Sequence, residues 1–277
     1  MPLAIPNPDW LQDHCFMGRA VLPGTCALDH LARAVAGSFA DADVTSHEAV
    51  RFDKLLPLPS PATRCIDALV EFAPASGNGV TASLLTRHVA ARSGLRRLKV
   101  HVRAGFARAR AANPNVPPAP GRPGPPANAF QVPPERLYGE MVPFGPVFRN
   151  VVSAVALWPE GARAVVSGGP GKGAANTLLG SPFPLDAAFH AACAWAQRFH
   201  SMVAFPVAMA RRRVWRPTRA AEHYDAIVRF RAAEESGLRF DLYLCDRAGR
   251  LCETVQGLVM RDISGGRLQP PAWVRHR

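Results

Sequence analysis

The stretch Leu185-Asp186-Ala187-Ala188-Phe189-His190-Ala191-Ala192-Cys193-Ala194-Trp195-Ala196-Gln197 decides the fold. Alanine is the strongest helix former, and the run predicts a helix over Pro184–His200. A helix resting on a surface keeps one polar stripe for solvent; this one is apolar or small nearly all round, so it must be enclosed. The residues that follow supply the enclosure. Val203–Val214, Tyr224–Ala232, Leu238–Cys245 and Leu251–Asp262 are rich in β-branched, aromatic or alternating apolar residues and read as strands. Turn signals such as Glu235-Ser236-Gly237 and Arg247-Ala248-Gly249 separate them, so the strands pair antiparallel. The expectation is a curved antiparallel sheet wrapped around a central helix.

The first half of the chain repeats this order. Gly24–Phe39 carries Leu28, Leu31, Ala32 and Val35 at helical spacing, and Ile66–Phe72, Val80–Val89 and Leu95–Ala107 read as strands. Between the halves lies Ala112–Pro134, ANPNVPPAPGRPGPPANAFQVPP, where repeated proline removes backbone donors and favours extended geometry. The organisation expected is a unit at 1–111, a proline-rich linker at 112–134 and a second unit at 135–277. Each unit is an α+β element set of one long helix and an antiparallel sheet.

The chain has 277 residues, 48% of them hydrophobic, enough for one large core or two smaller ones, and this excludes a disordered chain. No eighteen apolar residues run together without a charge or proline, and Met1–Asp13 has no basic start followed by an apolar core. A protein of the cytoplasm with no membrane partner is expected. The six cysteines show neither CxxC pairs nor metal-ligand spacing, so they read as small buried hydrophobes in a reducing compartment, and no metal is expected. The net charge of +12 comes almost wholly from arginine, lysine occurring only at 54, 99 and 172. These cations are dispersed apart from Arg211-Arg212-Arg213 and Arg216, which argues against nucleic acid and for an acidic protein partner or anionic cofactor. The run at 211–213 is expected on a solvated strand edge. Gly168-Gly169-Pro170-Gly171-Lys172-Gly173 lacks the GxxxxGK[ST] order of a phosphate loop and reads as a hairpin turn.

Two places carry chemistry. His14 stands before a turn bearing Gly18, and Pro23-Gly24 then opens the first long helix. Proline has no donor to lose there, and glycine allows close approach to the N–H groups at the helix start, where a carbonyl can be polarised. In the second half Asp186 and His190 are four residues apart on the enclosed helix, so both project from one face within hydrogen-bonding reach. His30, His47, His88, His101, His200, His223 and His276 have no such setting and read as structural or exposed.

Three motifs in order then carry a resemblance: HxxxGxxxxP (His14, Gly18, Pro23), a YGPxF-like stretch (Phe144-Gly145-Pro146-Val147-Phe148) and DxxxQ/H (Asp186 to His190). Together they resemble the dehydratase domains of polyketide synthases, over nearly the whole length from His14 to about Asp262. The resemblance implies a double-hotdog fold, two antiparallel sheets each wrapped around a central helix. It implies loss of water from a β-hydroxyacyl thioester held on the phosphopantetheine arm of an acyl carrier protein, giving an α,β-unsaturated thioester with no metal or redox cofactor. His14 would then take the α-proton as base and Asp186 would protonate the departing hydroxyl. Burial in an apolar helix raises a carboxyl pKa in the direction that an acid requires. His190 would support Asp186, and the Gly24 N–H would face the thioester oxygen. Gly18, Pro23, Gly24, Phe144, Gly145, Pro146 and Phe148 would line the substrate.

Two departures from the pattern stand out. Phe144 replaces the motif tyrosine, so that hydroxyl is missing and another group or water must replace it. The family's LPFSW-like stretch is replaced by Phe205-Pro206-Val207-Ala208-Met209. Two other readings stay open: a hotdog thioesterase or isomerase, and a module that shapes or holds a polyketide without eliminating water. Two hotdog units in one chain already make a pseudo-dimer, and a homodimer of such chains is compatible with everything above.

Overall fold

The computed structural model describes residues 1–75, 78–89, 95–108, 116–119, 121, 124–170 and 177–275. The chain divides into two compact units, Met1–Pro114 and Asn115–Arg277.

In the first unit, β1 (Pro2–Pro6), the short pair β2 (Cys15–Phe16) and β3 (Arg19–Ala20), helix α1 (Gly24–Ser38), and strands β4 (Ser46–Phe52), β5 (Cys65–Pro74), β6 (Val80–Val89) and β7 (Arg96–Phe106) follow in order. The sheet runs β1-β5-β6-β7-β4, each neighbouring pair antiparallel. Helix α1 packs on β6 and β7 through Leu28, Leu31, Ala32 and Val35, each fully buried. These are the four positions that the helical spacing singled out. Asp29 is also buried and is neutralised by Arg33 at 2.7 Å, one turn on.

In the second unit, β8 (Phe130–Val132) precedes a single helical turn, α2 (Pro134–Arg136), which runs into a π-turn at Leu137–Met141. A 3-10 turn at Pro146–Phe148, strands β9 (Val155–Trp158) and β10 (Gly161–Ser167), and helix α3 (Phe183–His200) come next. Strands β11 (Phe205–Val214), β12 (His223–Glu234), β13 (Gly237–Cys245) and β14 (Leu251–Arg261) complete the unit. Its sheet order is β11-β14-β13-β12-β10-β9-β8, again antiparallel throughout. Every residue of α3 from Phe183 to Gln197 is buried, as its all-round apolar composition requires, and it packs on β9, β10, β11, β12 and β13. Trp195 centres this core: its ring stacks on Phe230 at 4.3 Å, meets Phe240 edge-on at 5.3 Å, and its indole N–H donates to the Trp158 carbonyl at 2.8 Å. The indole brings a large apolar area, and its one donor is satisfied inside the core.

Several elements differ from the sequence expectation. Strands β1, β4, β8, β9 and β10 carry no clean alternation and were not foreseen. Pro2 and Pro6 weaken the strand signal of β1, and the strand takes the sheet edge, where a missing donor is tolerated. The proline-rich stretch contains an edge strand near its end, β8, which pairs with β9, and its last residue, Pro134, opens α2. Gly168 and Gly169 are not at a turn tip: the Gly168 N–H donates to the Glu222 carbonyl at 2.7 Å, and the Ala221 N–H donates to the Gly169 carbonyl at 2.9 Å. A Cβ at Gly168 would strike the Arg219 carbonyl and one at Gly169 the Phe183 ring, so these glycines exist for close packing. The rest of that motif, Gly171–Gly173, lies outside the described residues.

The arginine run also departs from a solvated edge. Arg212 is 3% exposed, and its Nε donates to Glu253 Oε1 at 2.6 Å in an equally buried pair between β11 and β14. Alternation explains this: with a period of two, the middle residue of three faces inward whatever its charge. Of the six cysteines, Cys26, Cys193, Cys245 and Cys252 are buried, Cys15 is half-buried and Cys65 is exposed, so the buried reading fails at Cys65; none forms a disulfide. No helix among the described residues is long and apolar enough to cross a membrane.

Candidate active site

His14 caps the C-terminal end of a 3-10 turn at Asp9–Asp13, its own N–H donating to the Leu11 carbonyl at 3.1 Å. The chain then reverses through β2 and β3, with Met17 and Gly18 at its tip, both at positive φ (49° and 76°). Two consecutive positive φ values make the primed hairpin turn, whose second position suits glycine. A Cβ at Gly18 would meet nothing within 4 Å, so the conformation and not the space selects glycine there. The reversal brings Val21 back beside His14. The Val21 N–H donates to the His14 carbonyl at 2.9 Å, and the Val21 carbonyl lies 2.9 Å from His14 Nδ1. A carbonyl oxygen only accepts, so Nδ1 carries the proton and Nε2 of the neutral ring carries the lone pair.

Pro23 is the N-cap of α1, its carbonyl accepting from the Ala27 N–H at 3.0 Å, and Gly24 is the first helical residue. A Cβ on Gly24 would lie 2.6 Å from Cε1 of Phe52, so this glycine lets an aromatic ring press on the helix start.

In the second unit, Asp186 sits in the first turn of α3, where the helix dipole favours negative charge, and is 6% exposed. His190, 4% exposed, places Nε2 3.1 Å from Asp186 Oδ2. That contact has the distance of an ion pair or hydrogen bond, although its present angle falls outside hydrogen-bond geometry. His190 Nδ1 lies 3.3 Å from the hydroxyl of Tyr138, itself buried on the π-turn. The Val151 N–H donates to that hydroxyl oxygen at 2.8 Å, and the Asn150 N–H adds a weaker contact. With its oxygen accepting from the backbone, the hydroxyl hydrogen is left to donate to His190 Nδ1. His190 therefore turns an N–H toward Asp186. Burial pushes the Tyr138 phenol well above its ordinary value, the backbone N–H groups pull it down and the Asp186 charge adds to the rise, so Tyr138 stays a donor at neutral pH.

The π-turn is held along α3 at a second point, where Gln197 Nε2 donates to the Met141 carbonyl at 3.1 Å. His190 and Gln197 are seven residues apart and share one helix face, so the turn follows that face. Single π-turns recur at functional sites, where they re-aim a side chain, and here the side chain is Tyr138. Sequence reading missed it. Its signal was available: Tyr138 follows a Pro-Pro-Glu helix opening and is one of only three tyrosines in the chain.

The Phe144–Phe148 stretch packs against the same residues. The Phe144 ring lies 4.8 Å from the His190 ring, centroid to centroid, and is nearly buried. Gly145 caps the 3-10 turn at Pro146–Phe148, and fully buried Phe148 meets Phe183 edge-on at 5.3 Å. Phe144, Phe148 and Phe183 thus form an apolar wall beside the Asp186–His190 pair. The buried histidines hold to their structural reading: His47 lies against Phe106 and His101 contacts the Thr86 hydroxyl at 2.8 Å, while exposed His200 rests one side of its ring near Trp195. His276 lies outside the described residues.

Two family models match the chain: "Polyketide synthase dehydratase N-terminal domain" over residues 118–270 and "Polyketide synthase dehydratase domain" over residues 3–85. The first alone covers more than half of it. The chain belongs to the polyketide synthase dehydratase family. Among solved structures, the dehydratase domain from the CurF module of curacin polyketide synthase matches at 17% identity and a TM-score of 0.75, covering 94% of this chain and 92% of that one. A trans-AT polyketide synthase dehydratase domain from Brevibacillus brevis matches at 18% identity and a TM-score of 0.76, covering 95% and 93%. The bifunctional dehydratase-cyclase domain of ambruticin biosynthesis matches at 22% identity and a TM-score of 0.68, covering 94% and 89%. At these identities the likeness is one of fold: the hotdog-like, antiparallel dehydratase fold with few helices. A search of curated protein sequences finds no match.

Proposed function

We propose that this polyketide synthase dehydratase, with two hotdog units in one chain, removes water from β-hydroxyacyl thioesters carried on an acyl carrier protein. The observation that carries the reading is the 2.9 Å contact between His14 Nδ1 and the Val21 carbonyl, which assigns the ring proton to Nδ1. A base must meet its proton with a lone pair, and Nε2 has one. In this reading Nε2 takes the proton from the α-carbon, which the thioester carbonyl acidifies. The C–H electron pair becomes the new double bond as the β C–O bond breaks. Asp186 enters the step protonated and gives its proton to the departing hydroxyl, leaving the carboxylate that the start of α3 and the His190 N–H stabilise, and water leaves. The imidazolium and carboxylate left behind return to their starting states by exchanging one proton.

The N–H groups at the start of α1 would offset negative charge on the thioester oxygen, and the Phe144–Phe148 wall would line the acyl chain. All these steps draw on side chains and backbone, so no metal or redox cofactor is needed. The Tyr138–His190 pair acts on Asp186 and not on the substrate, so it does not replace the hydroxyl that Phe144 lacks.

The test is incubation with a β-hydroxyacyl pantetheine thioester, followed by mass spectrometry for a product lighter by one water. His14→Ala and Asp186→Asn should each lower turnover by about 10²-fold or more while leaving the circular dichroism spectrum intact. Near-native turnover in either variant would sink the assignment, and release of free acid would favour a thioesterase.

A further inference from the structure

Between Glu71 and Glu135 the chain holds no acidic residue, while arginines and one lysine recur. Arg103 is neutralised by Asp53 at 3.0 Å and Arg108 by Asp41 at 3.3 Å. The far ends of β6 and β7 are different. There the register sets Thr86 opposite Lys99, Arg87 opposite Leu98, His88 opposite Arg97 and Val89 opposite Arg96. Arg87, His88, Val89 and Leu95–Leu98 are all exposed. Among the described residues no carboxylate pairs with Arg87, Arg96, Arg97 or Lys99. Three of the largest exposed aliphatic side chains stand among them: Val89 at 57%, Leu95 at 55% and Leu98 at 56%. Both faces of the ribbon are therefore bare: one carries Arg87 and Arg96 with Val89 and Leu98, the other His88, Arg97 and Lys99.

Neighbouring like charges on a two-stranded ribbon repel one another, and nothing within the described residues offsets them. An anionic surface would. We propose that this ribbon end is a docking surface for an acidic protein, and that the protein is the acyl carrier protein bearing the substrate, a proposal that rests on the dehydratase reading above. The chemistry of the patch favours a protein over other polyanions. Single-stranded nucleic acid is held by cations interleaved with aromatic rings, and the described residues of this patch include no Phe, Tyr or Trp. A membrane surface is met by one continuous apolar face rimmed by cations, whereas Val89 and Leu98 lie on the opposite face from Arg97 and Lys99 and share their own with Arg87 and Arg96. Alternating charged and aliphatic contacts suit a protein interface, where the charges speed encounter and the aliphatic groups hold the complex. Arg212 cannot serve such a contact, because its guanidinium is buried on Glu253.

The experiment compares a strongly acidic acyl carrier protein loaded with 3-hydroxybutyryl phosphopantetheine against the same acyl group on pantetheine alone. Fluorescence anisotropy of the labelled carrier reads binding separately from turnover. The variant Arg96→Glu, Arg97→Glu, Lys99→Glu should lose about tenfold or more in carrier affinity and the same factor in carrier-over-pantetheine preference, with pantetheine turnover unchanged. Parent affinity should fall as salt rises, because exposed charges are screened beyond about 10 Å at 0.1 M. Leu98→Ser should weaken binding without changing that salt dependence. Arg96, Arg97 and Leu98 are exposed and Lys99 is half-buried, so melting temperatures should stay close to the parent. Carrier binding that ignores the reversal overturns the proposal, as does ribbon-dependent binding to duplex DNA or phosphatidylglycerol vesicles that exceeds binding to the carrier. If pantetheine substrate loses no water while carrier affinity still depends on the ribbon, the dehydratase chemistry falls and the docking surface stands.

Discussion

Tyr138 shows how much one hydroxyl can set. Its oxygen accepts from the Val151 N–H at 2.8 Å, and its hydrogen is directed to His190 Nδ1, which fixes an N–H on the side of His190 that faces Asp186. Replacing Tyr138 by Phe keeps the ring and removes both links. The buried Val151 N–H is then orphaned, at a cost of about 1 to 3 kcal/mol in stability, and His190 is free to adopt either tautomer. For the variant we expect kcat to fall by roughly tenfold with KM nearly unchanged, since the hydroxyl touches another side chain and not the acyl chain. The pH profile of kcat should also move, because the proton on His190 bears on the Asp186 charge. A variant whose only change is a lower melting temperature would assign Tyr138 a purely structural role.

At the level of elements, pleating and not residue type decides which arginine is exposed. Arg211 and Arg213 point one way on β11, and Arg212 points the other, into a 2.6 Å pair with Glu253 on β14. Two charges taken out of water stabilise little as a pair, but removing one leaves the other uncompensated. Arg212→Ala should therefore destabilise the protein by about 3 kcal/mol or more, seen as a shift in chemical denaturation midpoint, while Arg211→Ala should shift it hardly at all. Equal effects would show that the buried pair has no special standing. The same distinction applies at Gly24, where the sequence motif suggested space for a substrate and the Phe52 ring already fills the position a Cβ would take.

Across the whole molecule, desolvation acts on several imidazoles to different degrees: His101 is buried, His30 is half-buried and His200 is exposed. Burial is the largest cause that lowers His101 and His30 below their ordinary value of 6.5, and His200 moves the same way. A histidine so lowered binds fewer protons in the folded chain than in the unfolded one. The unfolded state then gains protons as pH falls, so stability is whole above about pH 6.5 and declines as pH drops through that value toward the folded-state pKa. The melting temperature should be lower at about pH 5.5 than at about pH 7.5, and His101→Asn, which cannot take a proton, should lessen the difference. A curve that is flat across this range, or one that rises toward acid, would contradict the assignment.

The sequence by itself determined the two long helices, most of the longer strands, the order of the three motifs and the meeting of Asp186 with His190. These follow from local rules: a helix with no polar face must be enclosed, and side chains four apart on it must meet. It could not determine β1 and β8 to β10, because edge and short strands lean on pairing more than on their own pattern. It offered Tyr138 as one of three tyrosines but not its partner, since Tyr138 reaches His190 across 52 residues of chain through a π-turn. The direction in which Arg212 faces, the Phe52 ring over Gly24 and the proton position on His14 were likewise decided by tertiary structure. Each depends on which group packing brings to within about 3 Å, and distance in the chain carries no record of that.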